Sequence, residues 1–292
     1  MLDRQRIRAA FGAAAQDYEG LAVLQREVGR ELVERCIVLE QPPQRVLDVG
    51  CGTGLHTAAL KQRYRKAEVI GLDLALPMLR QTRRHSRWWR PLRVLAGDVL
   101  QLPLADRSVD LVYSNLCLQW CEDLHAAFYE LRRVLRPGGL LLFSTFGPDT
   151  LRELRAAWQA ADDAAHVHRF LDVHDIGNAV MAQAYADPVF DVERYTLTYT
   201  DVRQLMRELK GIGAGNALAE RRRGLTGRSA YTRMLEAYES FRVNGRLPAT
   251  YEVVYGQAFA PQENRPLRDR RGELVQVSVD SLREQLRRRR GG

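Results

Sequence analysis

The residues Asp48-Val49-Gly50-Cys51-Gly52-Thr53-Gly54 set three closely spaced glycines behind an acid. Glycines let a ligand approach the main chain, and a helix starting just beyond them offers unpaired N–H groups. The loop does not meet the G-x-G-x-x-G pattern of dinucleotide binders, because Leu55 stands at its third position. Asp73 lies 19 residues beyond Gly54, where a carboxylate can accept both hydroxyls of a ribose. Asp48 would repel a pyrophosphate but not the cationic end of a cofactor. Asp98, in Gly97-Asp98-Val99, can accept from an exocyclic adenine amine, and Asn115 closes a further strand in Ser114-Asn115-Leu116. Together these residues suit a nucleoside cofactor that carries positive charge.

The surrounding pattern supplies the elements that must hold them. Arg45–Gly50, Ala67–Asp73, Leu92–Ala96, Val109–Ser114 and Leu140–Thr145 read as strands. They alternate with helices around Leu55–Tyr64, Met78–Arg84 and Leu124–Leu135, the last stopped by Arg136-Pro137-Gly138-Gly139. That alternation predicts an α/β, Rossmann-like doubly wound sheet, mostly parallel. Residues 3–39 read as helical with a break near Gly20 and are expected to form a lid over residues 1–40. Further helices are expected at Thr150–Ala165 and Val202–Lys210, and strands at Val189–Tyr199 and Tyr251–Ala260, which bring the sheet to seven. A helical insertion over 200–246 precedes the last strand, and a single domain over 1–260 is expected.

Composition narrows the class. The chain has 292 residues, 46% hydrophobic and 27% charged, enough for a sizeable core, and its net charge is +8. Of 44 basic residues only Lys61, Lys66 and Lys210 are not Arg. Residues 262–292 carry nine Arg against five acids, so a basic, disordered tail is expected over 261–292. Cys36, Cys51, Cys117 and Cys121 form no C-x-x-C pair, and the six His are scattered, so no metal is expected. The first twenty residues do not read as a signal peptide and no run is long enough to span a bilayer. A cytoplasmic location follows as the expectation, with neither membrane nor nucleic acid as partner.

The strings RVLDVGCGTG and GLDLALPML resemble the first two motifs of the S-adenosylmethionine-dependent methyltransferases of the Rossmann-like class. That resemblance implies S-adenosyl-L-methionine as cofactor, S-adenosyl-L-homocysteine as product, and Leu74 and Val99 beside the acids as cofactor contacts. Methyl transfer from a sulfonium is an in-line displacement that asks for positioning more than for acid–base power. Ser114-Asn115-Leu116-Cys117 is not the N-P-P-Y type of tetrad that amide methylation suggests, and Cys117 and Cys121 lack the Pro-Cys context of base methylation. A carboxylate acceptor is already a nucleophile at pH 7 and needs only a cationic or hydrogen-bonding pocket.

The outer segments carry a closer resemblance. Ala9-Ala10-Phe11-Gly12, Asp17-Tyr18, Leu24-Gln25-Arg26, Gln119-Trp120-Cys121, Phe143–Gly147, His168-Arg169-Phe170-Leu171, Leu209–Ala214 and Gly245–Tyr251 are similar to the malonyl-acyl-carrier-protein O-methyltransferases of biotin synthesis. The resemblance implies esterification of the free carboxyl of a malonyl thioester on acyl-carrier protein, an acidic protein partner. It places Tyr18 and Gln25 over the cofactor, Arg169 on the acceptor carboxylate or thioester carbonyl, and Trp120 as a pocket wall. Basic residues on the helix Val202–Lys210 and in the stretch Arg221-Arg222-Arg223 would steer the carrier. A complex I assembly-factor-like enzyme modifying protein arginine resembles the same motifs, and a small-molecule or RNA methyltransferase shares the fold. No recognisable RNA-binding motif accompanies the charge.

Overall fold

The computed structural model describes residues 2–35, 41–217 and 227–262. The tail from 263 onward, Arg221-Arg222-Arg223 and Cys36 lie outside the described residues.

Three helices lead: α1 (Arg4–Ala14), α2 (Tyr18–Leu21) and α3 (Val23–Glu34). Asp3 caps α1, accepting from the Arg6 N–H at 3.0 Å. The expected break near Gly20 is displaced: the helices part at Ala15–Asp17 and at Ala22, and Gly20 sits inside α2. The single turn holds because the Gly20 and Ala22 amides donate back to Asp17 and Tyr18.

The sheet follows as β1 (Arg45–Val49), α4 (Leu55–Arg63), β2 (Glu68–Asp73), α5 (Leu76–Arg84), β3 (Arg93–Ala96), β4 (Val109–Asn115), α6 (Leu124–Val134) and β5 (Leu135–Phe146). The remainder is α7 (Arg152–Gln159), α8 (Val173–Ala182), β6 (Ala186–Tyr199), α9 (Val202–Gly211), α10 (Arg228–Glu239) and β7 (Leu247–Phe259). Seven strands run in the order β3-β2-β1-β4-β5-β7-β6, the first five parallel and β7 antiparallel to both its neighbours. Buried on both faces, β1 and β4 are nearly continuous apolar runs.

Two apolar layers clothe the sheet. Leu24, Val28, Leu60, Leu154, Leu205 and Met234 carry α3, α4, α7, α9 and α10 onto one face. Phe128 and Leu131 of α6 pack with Ile176 and Val180 of α8 on the other. The sequence pattern did not reveal α8, whose apolar stripe is only ten residues long and contains Gly177. The helix expected over Thr150–Ala165 shortens to α7, entered through Leu151 at φ +55°. β5 starts earlier than Leu140, because Arg136-Pro137-Gly138-Gly139 lies in a bulge where pairing jumps from Val109–Leu135 to Leu111–Leu140.

At the far edge, β6 carries Pro188 and a register shift between Ala186 and Val189. The Arg35 guanidinium pairs with Glu31, Asp191 and Glu193 and lies 4.2 Å over the Tyr255 ring, tying the end of α3 to this edge.

Buried Glu153 of α7 accepts from the Thr250 N–H at 3.0 Å and from its hydroxyl at 2.5 Å, locking the helix to β7. Glu153→Ala leaves both donors without that acceptor and is expected to cost about 2 kcal/mol, read from chemical denaturation.

Candidate active site

The carboxyl ends of β1 to β4 converge on a cleft of about 120 Å³. Gly50, Gly52, Asp73, Leu74, Asp98, Val99 and Asn115 all line it, as does Tyr18 from the turn between α1 and α3. Gln25 and Asp48 line a smaller adjoining space that shares Tyr18, Gly50, Gly52 and Asn115. Arg169 lines neither: it is exposed and faces two outer cavities. Gly50 takes φ +71°, and a Cβ there would stand 2.5 Å from the Cys117 sulfur. Gly52 takes φ +55° with nothing within 4 Å of its Cβ position, so the main chain there is bare to a ligand.

Backbone amides fix the acids. Asp73 Oδ2 accepts from Gly52 N at 2.9 Å and Oδ1 from Ala75 N at 2.8 Å, tying the loop after β1 to the turn after β2. Each oxygen keeps lone-pair capacity for a hydroxyl donor. Burial raises the Asp73 carboxyl above its ordinary range, and the amides of Ala75, Gly52 and Leu74 oppose that. Asp48 is 1% exposed and accepts from the Thr57 hydroxyl at 2.5 Å. Burial pushes Asp48 up to about 7, with the Thr57 bond working against the shift and Asp73 adding to it. Burial, followed by Asp73 and Cys117, holds the Tyr18 hydroxyl well above its usual range. It is therefore neutral at pH 7 and able to donate a hydrogen bond.

Several lining residues escaped the sequence reading. Arg4 of α1 forms an ion pair with Asp98, and Phe11 meets Trp120 edge-on at 5.4 Å between ring centres. These contacts span most of the first hundred residues and leave no local signature. Gly29 had a signal, a glycine inside an apolar helical pattern. A Cβ on it would lie 2.2 Å from the His56 ring and 2.7 Å from Asn115 Nδ2. Around this contact Tyr113 OH donates to Gly29 O at 2.9 Å, and Asn115 Nδ2 donates to Gln25 O at 2.9 Å.

Trp120 lines both the cleft and a second, larger cavity of about 700 Å³. Phe146, Leu154, Trp158, Phe170, Met206 and Tyr251 give that cavity an apolar body. Arg203, Arg207 and Lys210, all exposed on α9, supply a cationic rim. The His168 ring lies tilted against Trp120, ring centres 5.5 Å apart, and burial with Arg155 lowers its imidazole to about 4, so it is neutral. An enclosed, acid-lined cleft therefore meets an apolar chamber with a basic mouth at a single aromatic wall. That arrangement can bring a cationic nucleoside ligand beside an anionic group on an apolar chain.

A family described as a methyltransferase domain matches residues 47–143. A malonyl-acyl-carrier-protein O-methyltransferase of Gallionella capsiferriformans is 48% identical over 273 residues, covering 91% of this chain and 94% of that protein. One from Xylella fastidiosa is 46% identical over 284 residues, covering 97% and 96%. The solved structure of a putative methyltransferase from Bacillus halodurans superposes with a TM-score of 0.57 at 16% identity, over 81% of this chain and all of that one, which shows the shared fold.

Gly29→Ala sets two effects against each other. Helix propensity gains about 1 kcal/mol, while overpacking against His56 and Asn115 costs about 1–3 kcal/mol. The second is expected to win, so thermal unfolding should move to lower temperature.

Proposed function

The chain belongs to the malonyl-acyl-carrier-protein O-methyltransferase family, and we propose that it esterifies the free carboxylate of a malonyl thioester borne on acyl-carrier protein, an early step of biotin synthesis. S-adenosyl-L-methionine, when bound, supplies an electrophilic methyl group on a sulfonium and leaves as S-adenosyl-L-homocysteine. The observation that carries this reading is the pairing of the acid-lined cleft with an apolar chamber rimmed by cations across Trp120. A carboxylate attacks without a base, which agrees with a cavity whose His168 is neutral and whose Tyr18 keeps its proton.

In this reading Asp73 accepts the ribose hydroxyls, with Leu74 and Val99 against the adenine and Asp98 on its amine. Asp48 faces the ammonium of the methionine portion, and Gly50, Gly52, Gln25 and Asn115 border it. Tyr18 orients the reacting groups by hydrogen bonding. Small-molecule sites run to roughly 300 Å³ or more. A cleft of about 120 Å³ with Arg4 on Asp98 therefore admits the cofactor only as α1 draws back. The helices α1 to α3 thus act as a lid on the domain, and α9 and α10 belong to the insertion before its last strand.

The cationic rim of α9 receives the acidic carrier, its phosphate-bearing arm and the malonyl charge. Arg169, outside the large chamber, serves at the neighbouring entrance. The setting is cytoplasmic, and no nucleic acid takes part. Protein-arginine and RNA acceptors are not favoured, since a 700 Å³ apolar cavity suits an acyl chain better than a guanidinium or a base.

With labelled S-adenosylmethionine, transfer is expected to malonyl-carrier protein and not to acetyl-carrier protein, which has no free carboxylate. Transfer to neither, with cofactor bound, would sink the proposal. Reversing charge at Arg207 and Lys210 together should raise KM for the carrier about tenfold and leave cofactor affinity unchanged.

Cofactor binding should also depend on pH. The ammonium favours ionised Asp48, whose carboxyl titrates near 7, so Kd falls as pH rises from 6 to 8. The change is about tenfold per unit below that value and levels off above it. Calorimetric titration with Asp48→Asn should show a flat profile.

A further inference from the structure

Trp88 and Trp89 are 88% and 59% exposed, far from the cleft. They form the tip of a tight turn in which Arg90 N donates to Arg87 O at 2.9 Å and Arg87 N to Arg90 O at 3.3 Å. Ser86 Oγ accepts from Leu92 N at 3.0 Å and buried Leu92 anchors the base. The indole pair is thus held outward by a fixed backbone, with ring centres 5.4 Å apart and planes at 87°. Nothing in the fold or the methyl-transfer reading uses this apolar surface.

Its surroundings are strongly cationic. Arg80, Arg83, Arg84, Arg87, Arg90 and Arg93 fall within fourteen residues, and no Asp or Glu occurs between Asp73 and Asp98. Among the described residues, Arg93 is the member of this set that pairs with a carboxylate, that of Glu68. At the end of α5, His85 bonds Glu19 at 3.2 Å.

We propose that this turn docks the protein onto an anionic phospholipid surface, the two indoles entering the headgroup layer while the flanking arginines meet lipid phosphates. Trp is suited to that layer because its ring is apolar and its N–H finds polar partners there. Each Arg near an anionic leaflet adds to the attraction, and several acting together with apolar insertion make a reversible anchor. A convex tip fits a lipid surface better than a groove-reading partner. The perpendicular ring pair also covers one indole face with the other's edge, which is poor geometry for stacking successive nucleic-acid bases.

The topology makes docking compatible with catalysis. α5 runs from Leu76 beside the cleft to Arg84, and β3 starts with Arg93 beside Ile70, near the start of β2. The turn therefore sits at the amino edge of the sheet, about 13 Å of helix away from the cleft at the carboxyl edge. No described helix is long and apolar enough to cross a bilayer. Docking would therefore be at the surface only.

The test is co-sedimentation of the full chain with phosphatidylcholine vesicles, with and without phosphatidylglycerol, at roughly 0.1 M salt, together with tryptophan emission. Phosphatidylglycerol should raise partitioning at least about tenfold and shift emission to the blue. Trp88→Ser with Trp89→Ser should lose that gain and the shift, with thermal unfolding and cofactor affinity unchanged. Arg83→Glu with Arg87→Glu should lose the dependence on phosphatidylglycerol. Because the tryptophan variant keeps every arginine of residues 262–292, undiminished sedimentation of it overturns the proposal. So does sedimentation without an emission shift, or retention on single-stranded DNA that phosphatidylglycerol vesicles fail to compete.

Discussion

How closely α3 can approach the carboxyl edge of the sheet is set at Gly29, and the cleft depends on that distance. A side chain there would occupy the space of His56 and Asn115. Without one, the Tyr113 hydroxyl reaches the Gly29 carbonyl and the Asn115 amide reaches the Gln25 carbonyl. These bonds fix where α3 begins, and so where Tyr18 stands relative to Asp73. A glycine inside a helix costs about 1 kcal/mol of propensity. Here the cost is offset by two hydrogen bonds to partly or wholly buried groups, each contributing about that much.

Electrostatics in the cleft follow from the same closeness. Asp48 and Asp73 line adjoining spaces, and both are raised by burial. Backbone amides donate to Asp73 and the Thr57 hydroxyl to Asp48, with no cation among these donors. The cleft is thus poised for a positive group, as the acids' placement in the sequence suggests. Asp98 is balanced differently, by Arg4 from α1, so one end of the cleft takes its cation from a helix outside the sheet.

What was legible in the sequence was whatever chemistry lies within a few residues of a strand end. The glycine loop, Asp73, Asp98 and Asn115 were found because β1 to β4 are short, apolar and regularly spaced. Tyr18 and Gln25 were reached through resemblance alone, since no local pattern tells a cleft-facing tyrosine from a packed one. Arg4 comes to the site only through a tertiary contact, whereas the basic helix α9 was legible as a steering surface and only its place at the chamber mouth was not. Among so many arginines, residue type gave no means of ranking Arg169 against Arg203 or Arg207. Boundaries slipped where turn hydrogen bonds outweighed propensity, at Gly20 and around Pro137.

Both margins of the sheet are unsuited to lengthening. β3 is only four residues long, and β6, though long, is interrupted by Pro188 and a register shift. Asp191 and Glu193 meet Arg35 along that same margin. A foreign strand seeking to extend the ladder would find a missing donor, a kink and clamped charges. The sheet can therefore leave the long strand β6 at its margin without offering a template for chain-to-chain β-pairing. That protection comes from the end of α3, the helix whose other end shapes the cleft.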